Sequence, residues 1–181
     1  MTNETDMPAR VEHRILGVTF CQNRIEDIVH EAVVKGGLVV VPAAPGLAGD
    51  FMYSPIYRKA LLEADMVIAD SGFMVILWWL RTGIKLSRNS GLAFLRAFMK
   101  QDDFKQNKRI FWIMPSPEEE LRTKRWLQNQ HVPIEAENFY VAPFYGKKGS
   151  IEDDVLVSQI EAQKPDIVMV GLGGGVQERL G

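Results

Sequence analysis

Apolar residues recur along the chain at two alternating periods, one of strands and one of helices. Ile15 to Phe20 (ILGVTF) predicts a first strand. Asn23 then stands where a helix cap belongs, before a helix to about Lys35 in which Ile25, Ile28, Val29, Ala32 and Val33 recur at helical spacing. Gly36-Gly37 ends it. Leu38 to Val41 (LVVV) lacks polar alternation, as expected of a strand covered on both faces. After the loop Pro42 to Gly46 come a helix near Pro55 to Ala64, a strand Met66 to Ala69, a turn at Asp70-Ser71-Gly72 and a helix from about Phe73 to Arg81.

The second half repeats this alternation. Asn89 or Ser90 caps a helix through Lys100, and Arg109 to Met114 (RIFWIM) is a strand. Ser116-Pro-Glu-Glu119 is a well-formed helix start, with Ser at the cap, Pro at the first position and Glu at the third. Asn138 to Ala142 predicts a short strand, Ile151 to Gln163 a helix and Ile167 to Val170 (IVMV) a strand running into Gly171-Leu-Gly-Gly-Gly175. Strands alternating with helices imply parallel pairing through right-handed crossovers. The predicted fold is α/β: a Rossmann-like, mostly parallel sheet with helices on both faces, in a single domain without internal repeat or low-complexity linker.

Composition narrows the class. Of 181 residues, 46% are hydrophobic and 24% charged, as in an ordinary globular protein. Lys plus Arg (21) nearly balance Asp plus Glu (23), so no global charge argues for nucleic acid. Basic clusters at Lys105/Lys108/Arg109, Arg122/Lys124/Arg125 and Lys147/Lys148 read as solvated faces. The one cysteine, Cys21, excludes an intramolecular disulfide and fits a reducing compartment. Residues 1–14 have no apolar signal core and read as a flexible leader to a cytoplasmic domain at 15–181. The run from Met66 to Leu80 is too short to span a membrane, and Asp70-Ser71-Gly72 interrupts it.

Asp70 is the first candidate for chemistry. It follows a buried strand and precedes a helix, where ligands bind in open α/β sheets. As a turn residue it would merely cap the helix; as a general base it would use the apolar wall around it to favour proton uptake. The stretch Gly171 to Glu178 is the second. A strand entering a glycine-rich turn lets backbone N–H groups approach a phosphate, although the spacing is neither that of a dinucleotide fingerprint nor of a Walker loop, and a plain left-handed turn needs glycines too. Gln177 and Glu178 could bond a sugar or base, or simply form an exposed first helical turn. His13, His30 and His131 are too scattered for a metal site. Asn138 to Tyr145 reads as core and turn, with base stacking as its other use.

From Ile15 to Leu180 the order of these pieces resembles the WecG/TagA/CpsF family of bacterial glycosyltransferases. ILGVTF is similar to the family's opening strand, MVIADSGFMVILWWLRTG to its Asp-Gly segment before an apolar helix, SRNSGLAFL to its Arg-x-x-Gly-x-Asp-Leu segment and PDIVMVGLGGGVQERL to its closing Gly-Leu-Gly-x-x-x-Gln-Glu signature. The resemblance implies inverting transfer of an N-acetylmannosamine-type sugar from a UDP donor to a polyprenyl-diphosphate-linked acceptor at the inner face of the membrane, with no cofactor and no required metal. Asp70 would be the catalytic base, Gly72 the glycine of the Asp-Gly pair, Gln177 a substrate contact with Glu178 beside it, and Gly171 and Gly173 the walls of the nucleotide-sugar crevice. The chain departs from the family at several places. Val41 and Ala43 stand for its Thr-x-Asn, Ser71 separates Asp70 from Gly72, Ala93 stands for an Asp, and Met114-Pro-Ser-Pro117 replaces a glycine-rich loop. Ending at Gly181, the chain is expected to lack a C-terminal segment. Two rival readings accompany the transferase: a nucleotide-sugar-binding module without turnover, and a pathway scaffold subunit that self-associates through the Phe73–Leu80 helix.

Overall fold

A computed structural model describes residues 8–43, 46–101, 109–146 and 149–181. Lys105, Lys108, Lys147 and Lys148 of the basic clusters, and Ala44 and Pro45 of the predicted loop, lie outside the described residues. The α/β class and the mostly parallel pairing agree with the sequence pattern, and the strands join in two sheets, one in each of two compact units.

The first unit contains β1 (Glu12–Ile15), β2 (Val18–Cys21), α1 (Ile25–Lys35), β3 (Val39–Val40), a π-helical turn (Gly46–Asp50), α2 (Phe51–Tyr53), α3 (Pro55–Glu63), β4 (Met66–Ile68), α4 (Gly72–Thr82) and α5 (Gly91–Phe98). Its strand order is β1-β2-β4-β3, with β1 antiparallel to β2 and the other pairs parallel. The chain crosses the sheet from β2 to β3 and returns to β4, so two right-handed crossovers must leave their helices on opposite faces. The side chains agree. Val18, Phe20, Val40, Val67 and Ala69 meet Tyr57 and Leu61 of α3 and Met74, Val75 and Trp78 of α4. Cys21, Val39, Val41, Met66 and Ile68 meet Ile25, Ile28 and Ala32 of α1 and Phe94 of α5.

The second unit contains β5 (Ile110–Met114), α6 (Pro117–Asn129), a 3-10 turn (Ala136–Asn138), β6 (Phe139–Val141), α7 (Asp154–Gln163), β7 (Ile167–Val170) and α8 (Gln177–Leu180). The sheet is parallel, in the order β6-β5-β7. Phe111 and Ile113 pack with Leu156 and Ile160 of α7, while on the other face Trp112 stacks on Phe139 and Lys124 of α6 lies 4.6 Å above the Phe139 ring.

Three expectations from the amino end need correction. The single strand ILGVTF is a hairpin: Ile15 pairs with Val18 across Leu16 and Gly17, whose φ angles of 52° and 87° belong to a tight two-residue turn. Its first strand begins inside the segment read as leader. Arg10 bonds both oxygens of Glu31 at 2.9 and 3.0 Å and the Asp65 carbonyl at 2.9 Å. Burial pushes the Glu31 carboxyl up, but the bonds from Arg10 and Lys35 outweigh it and hold the group below its ordinary range. Asn23 does not cap α1. Its Oδ1 accepts from Val11 N at 2.7 Å and its Nδ2 donates to Ala9 O at 3.0 Å, tying down the backbone that leads into β1, while the cap position falls to Arg24 without a side-chain bond.

Leu16 holds a left-handed conformation that costs a side-chain-bearing residue roughly 1–2 kcal/mol and that Asn tolerates better. Leu16→Asn, at this exposed turn, is expected to raise unfolding free energy by about 1 kcal/mol in urea titration; a decrease would mean that Leu16 earns its place by packing.

Candidate active site

In the first unit, β2 and β4 are neighbours whose following helices, α1 and α4, lie on opposite faces. In open α/β sheets such divergence marks the carboxyl ends of the strands as the place where ligands bind. Asp70 stands there, two residues beyond β4, with its side chain about one-third exposed (32%). It does not cap the helix. Ser71, itself buried, does so, its Oγ accepting from Met74 N at 3.0 Å, which leaves the Asp70 carboxylate free of that duty.

A second charged group reaches the same place. Leu86 is anchored in the core, Ser87 N donates to Gln22 Oε1 at 2.7 Å, and Asn89 donates from N to Ala69 O and from Nδ2 to Asn23 O, both at 3.1 Å. These bonds pin the loop before α5 to the ends of β2 and β4. Arg88 is thereby carried to Asp70, where Nε donates to its carbonyl at 3.0 Å and the guanidinium comes within 3.9 Å of Oδ1. Gly72 lies beneath it: a Cβ there would meet the Arg88 side chain at ordinary contact distance, 3.6 Å. The carboxylate thus has a cation beside it as well as the apolar strand behind it.

In the second unit β5 and β7 diverge in the same way, for α6 and α8 leave toward opposite faces. The glycines of the turn after β7 fall into two groups. Gly171 N donates to Ile113 O at 2.8 Å, and a Cβ at Gly171 would come within 3.2 Å of that carbonyl; Gly175 has φ +85°. These two are required by the backbone. Gly173 is not: it is exposed, and a Cβ would meet nothing within 4 Å.

Glu178 is neither an exposed first-turn residue nor open to solvent. Only 2% exposed, its carboxylate accepts from Gly175 N at 2.6 Å and from Gln177 Nε2 at 3.3 Å. Arg179, which the sequence pattern did not single out, is buried next to it. Its guanidinium donates to three carbonyls, Gly175 at 2.7 Å, Gly149 at 2.8 Å and Gly146 at 2.6 Å, and so fastens the glycine turn to the loop before α7. Of the candidates in this turn, Gly171 and Gly173 are exposed and Gln177 half-buried, while Glu178 serves the turn itself.

The sequence profile of the glycosyl transferase WecG/TagA/CpsF family matches residues 13–180, nearly the whole chain. The chain belongs to this glycosyltransferase family. A search of curated proteins finds no match. Within a WecG/TagA/CpsF chain the departures noted in the sequence acquire a physical setting. Val41 is half-buried against the cluster of Cys21, Ile28, Met66 and Ile68 and lies 3.5 Å from where a Gly91 Cβ would be, so an apolar side chain suits it. Burial pushes the Cys21 thiol up, which makes it a poor nucleophile, and among the described residues no cluster of His, Cys, Asp and Glu could hold a metal ion.

The aromatic stretch is core and turn, as read, with one polar device inside it. Tyr140 and Tyr145 both donate to Asp153 Oδ2, at 2.7 and 2.5 Å, and Asp153 Oδ1 caps α7 through Leu156 N at 2.9 Å. Desolvation and the bonds to Asp153 push Tyr140 up to about 12 and raise Tyr145 as well. Desolvation acts on Asp153 in the same direction, yet bonds from Tyr145, Leu156 N and Tyr140 hold its carboxyl below the ordinary range.

A carboxyl depressed on folding stabilises above its unfolded pKa, about 3.9, and loses that contribution as pH falls through the folded value. The stability difference between wild type and Asp153→Asn should therefore be flat at neutral pH and shrink below pH about 4 in urea titrations. For Tyr140 the sign is opposite. The difference between wild type and Tyr140→Phe should hold up to the unfolded phenol pKa of about 10 and decline above it. A wild-type advantage that grew with acidification would contradict the Asp153 assignment.

Proposed function

We propose that the chain transfers an N-acetylmannosamine-type sugar from a UDP donor to a polyprenyl-diphosphate-linked acceptor, with inversion, as a cytoplasmic enzyme working at the inner face of the membrane. The observation that carries this reading is the division of labour at the end of β4 in a WecG/TagA/CpsF chain: Ser71 starts the helix, and the adjacent Asp70 keeps a carboxylate in the crevice. Asp70 accepts the acceptor hydroxyl proton as that oxygen attacks the anomeric carbon. The new C–O bond forms as the bond to the UDP phosphate breaks on the opposite side, and UDP leaves with the electron pair. Arg88 holds the base in position through the Asp70 carbonyl and offsets charge beside it. In the second unit the turn after β7 takes the nucleotide-sugar. Gly171 and Gly173 admit the ligand close to backbone N–H groups, and Gln177 supplies a side-chain amide.

A nucleotide-sugar-binding module without turnover is the second reading, favoured by Val41, Ala43 and Ala93, which offer no side-chain hydrogen bond where the family resemblance implies polar groups. Calorimetric titration with UDP and UDP-N-acetylmannosamine, paired with a turnover assay on a lipid-diphosphate acceptor, separates the two. Asp70→Asn should lower turnover by about 10²–10⁴-fold while leaving the donor Kd unchanged. Gln177→Ala and Gly173→Ala should weaken donor binding by about tenfold. Equal loss of donor affinity in Asp70→Asn would remove it as the base, and donor binding without turnover by wild type would favour the binding module.

A further inference from the structure

The eleven residues of α4, GFMVILWWLRT, contain one charge. A helix apolar on all sides belongs between two partners. One is present: Met74, Val75 and Trp78 pack into the core of the first unit. The opposite side is open. Ile76, Trp79 and Leu80, at i, i+3 and i+4, form a stripe, Ile84 follows two residues beyond the helix end, and the four are between 42% and 69% exposed. Such a contiguous patch marks a docking surface.

Charge selects its occupant. Arg81 and Lys85, both exposed, flank the stripe, and from Ser71 to Gln101 the chain carries five cations and no acid. A second copy docking by twofold symmetry would bring these cations toward each other. An anionic lipid headgroup layer offers the opposite charge, takes the apolar stripe into its acyl boundary and suits Trp79 at the level of the headgroups. At about 1.5 Å per residue α4 is roughly 16 Å long, enough to lie in an interface and too short to cross a bilayer. Among the described residues no helix is long and apolar enough to cross.

We propose that α4 and the turn after it, through Ile76, Trp79, Leu80, Arg81, Ile84 and Lys85, dock on an anionic lipid bilayer. This deepens the proposed function and rests on it for its purpose, since α4 begins two residues after Asp70 and a docked helix would bring the base to a lipid-borne acceptor.

The test is co-sedimentation of the full chain with phosphatidylcholine vesicles and with equimolar phosphatidylcholine–phosphatidylglycerol vesicles, without any nucleotide-sugar. Light scattering is run in parallel and circular dichroism checks that each variant is folded. Binding should be confined to the anionic vesicles and weaken with salt. Trp79→Ser/Leu80→Ser should lower it by about tenfold or more, and Arg81→Gln/Lys85→Gln by about fivefold per charge removed. No binding to anionic vesicles, or binding that the folded variants retain, would overturn the proposal. A wild-type dimer that Leu80→Ser dissociates, with no vesicle binding, would assign the stripe to a second copy instead. Because neither donor nor acceptor is present, these outcomes stand apart from failure of the transferase reading, which the titration and turnover assays detect.

Discussion

The central strands β4 and β5 are buried on both faces, and most of the arrangement follows from that constraint. Met66, Val67, Ile68 and Ala69 are each at most 2% exposed, and alternate residues serve two separate apolar clusters. Both faces of such a strand must be covered, so successive crossovers place helices on opposite sides. Chains leaving adjacent strands then diverge, and the backbone ends between them stay open to a ligand. The crevice at Asp70 and the glycine turn after β7 are two instances of one topological cause, each within its own unit.

Hydrogen bonding then gives each crevice its character. In the first unit, Gln22, Asn23 and the Ala69 carbonyl hold the loop that delivers Arg88. In the second, a buried carboxylate and a buried guanidinium, Glu178 and Arg179, satisfy the backbone of the glycine turn that they follow in sequence. Buried charges are tolerated only with such partners. Both side chains therefore act as parts of the scaffold that holds the glycine turn.

Strong local signals made much of this legible in the sequence. Unbroken apolar runs gave β4, β5 and β7, and Ser followed by Pro and Glu marked the start of α6, whose Ser116 Oγ accepts from Glu119 N at 3.3 Å. Asp70 and the glycine turn could be singled out because strand ends followed by turns are ligand positions in open sheets. The misses have long-range causes. Asn23 carries a good cap residue's chemistry, but distant backbone at Ala9 and Val11 claims its side chain. Arg88 becomes a neighbour of Asp70 only once the chain has traversed α4 and returned through Leu86. Glu178 and Arg179 look like an exposed helical turn until the loop around Gly146 and Gly149 covers them, and nothing in their spacing announces that loop. The Leu16-Gly17 turn was hidden by Leu16, whose apolar side chain continues the strand pattern through a reversal.

The adjacency of Ser71 and Asp70 has a consequence for how this protein can change. Folding of α4 draws on the Ser71 hydroxyl and makes no demand on the Asp70 carboxylate, so the two positions answer to different selective pressures despite sharing a peptide bond. Drift at position 71 is checked by stability, since loss of a serine cap costs about 1 kcal/mol. If Asp70 is the base proposed above, position 70 is held by that chemistry alone, which would make this one acid a sensitive historical marker of whether a lineage still carries out the reaction.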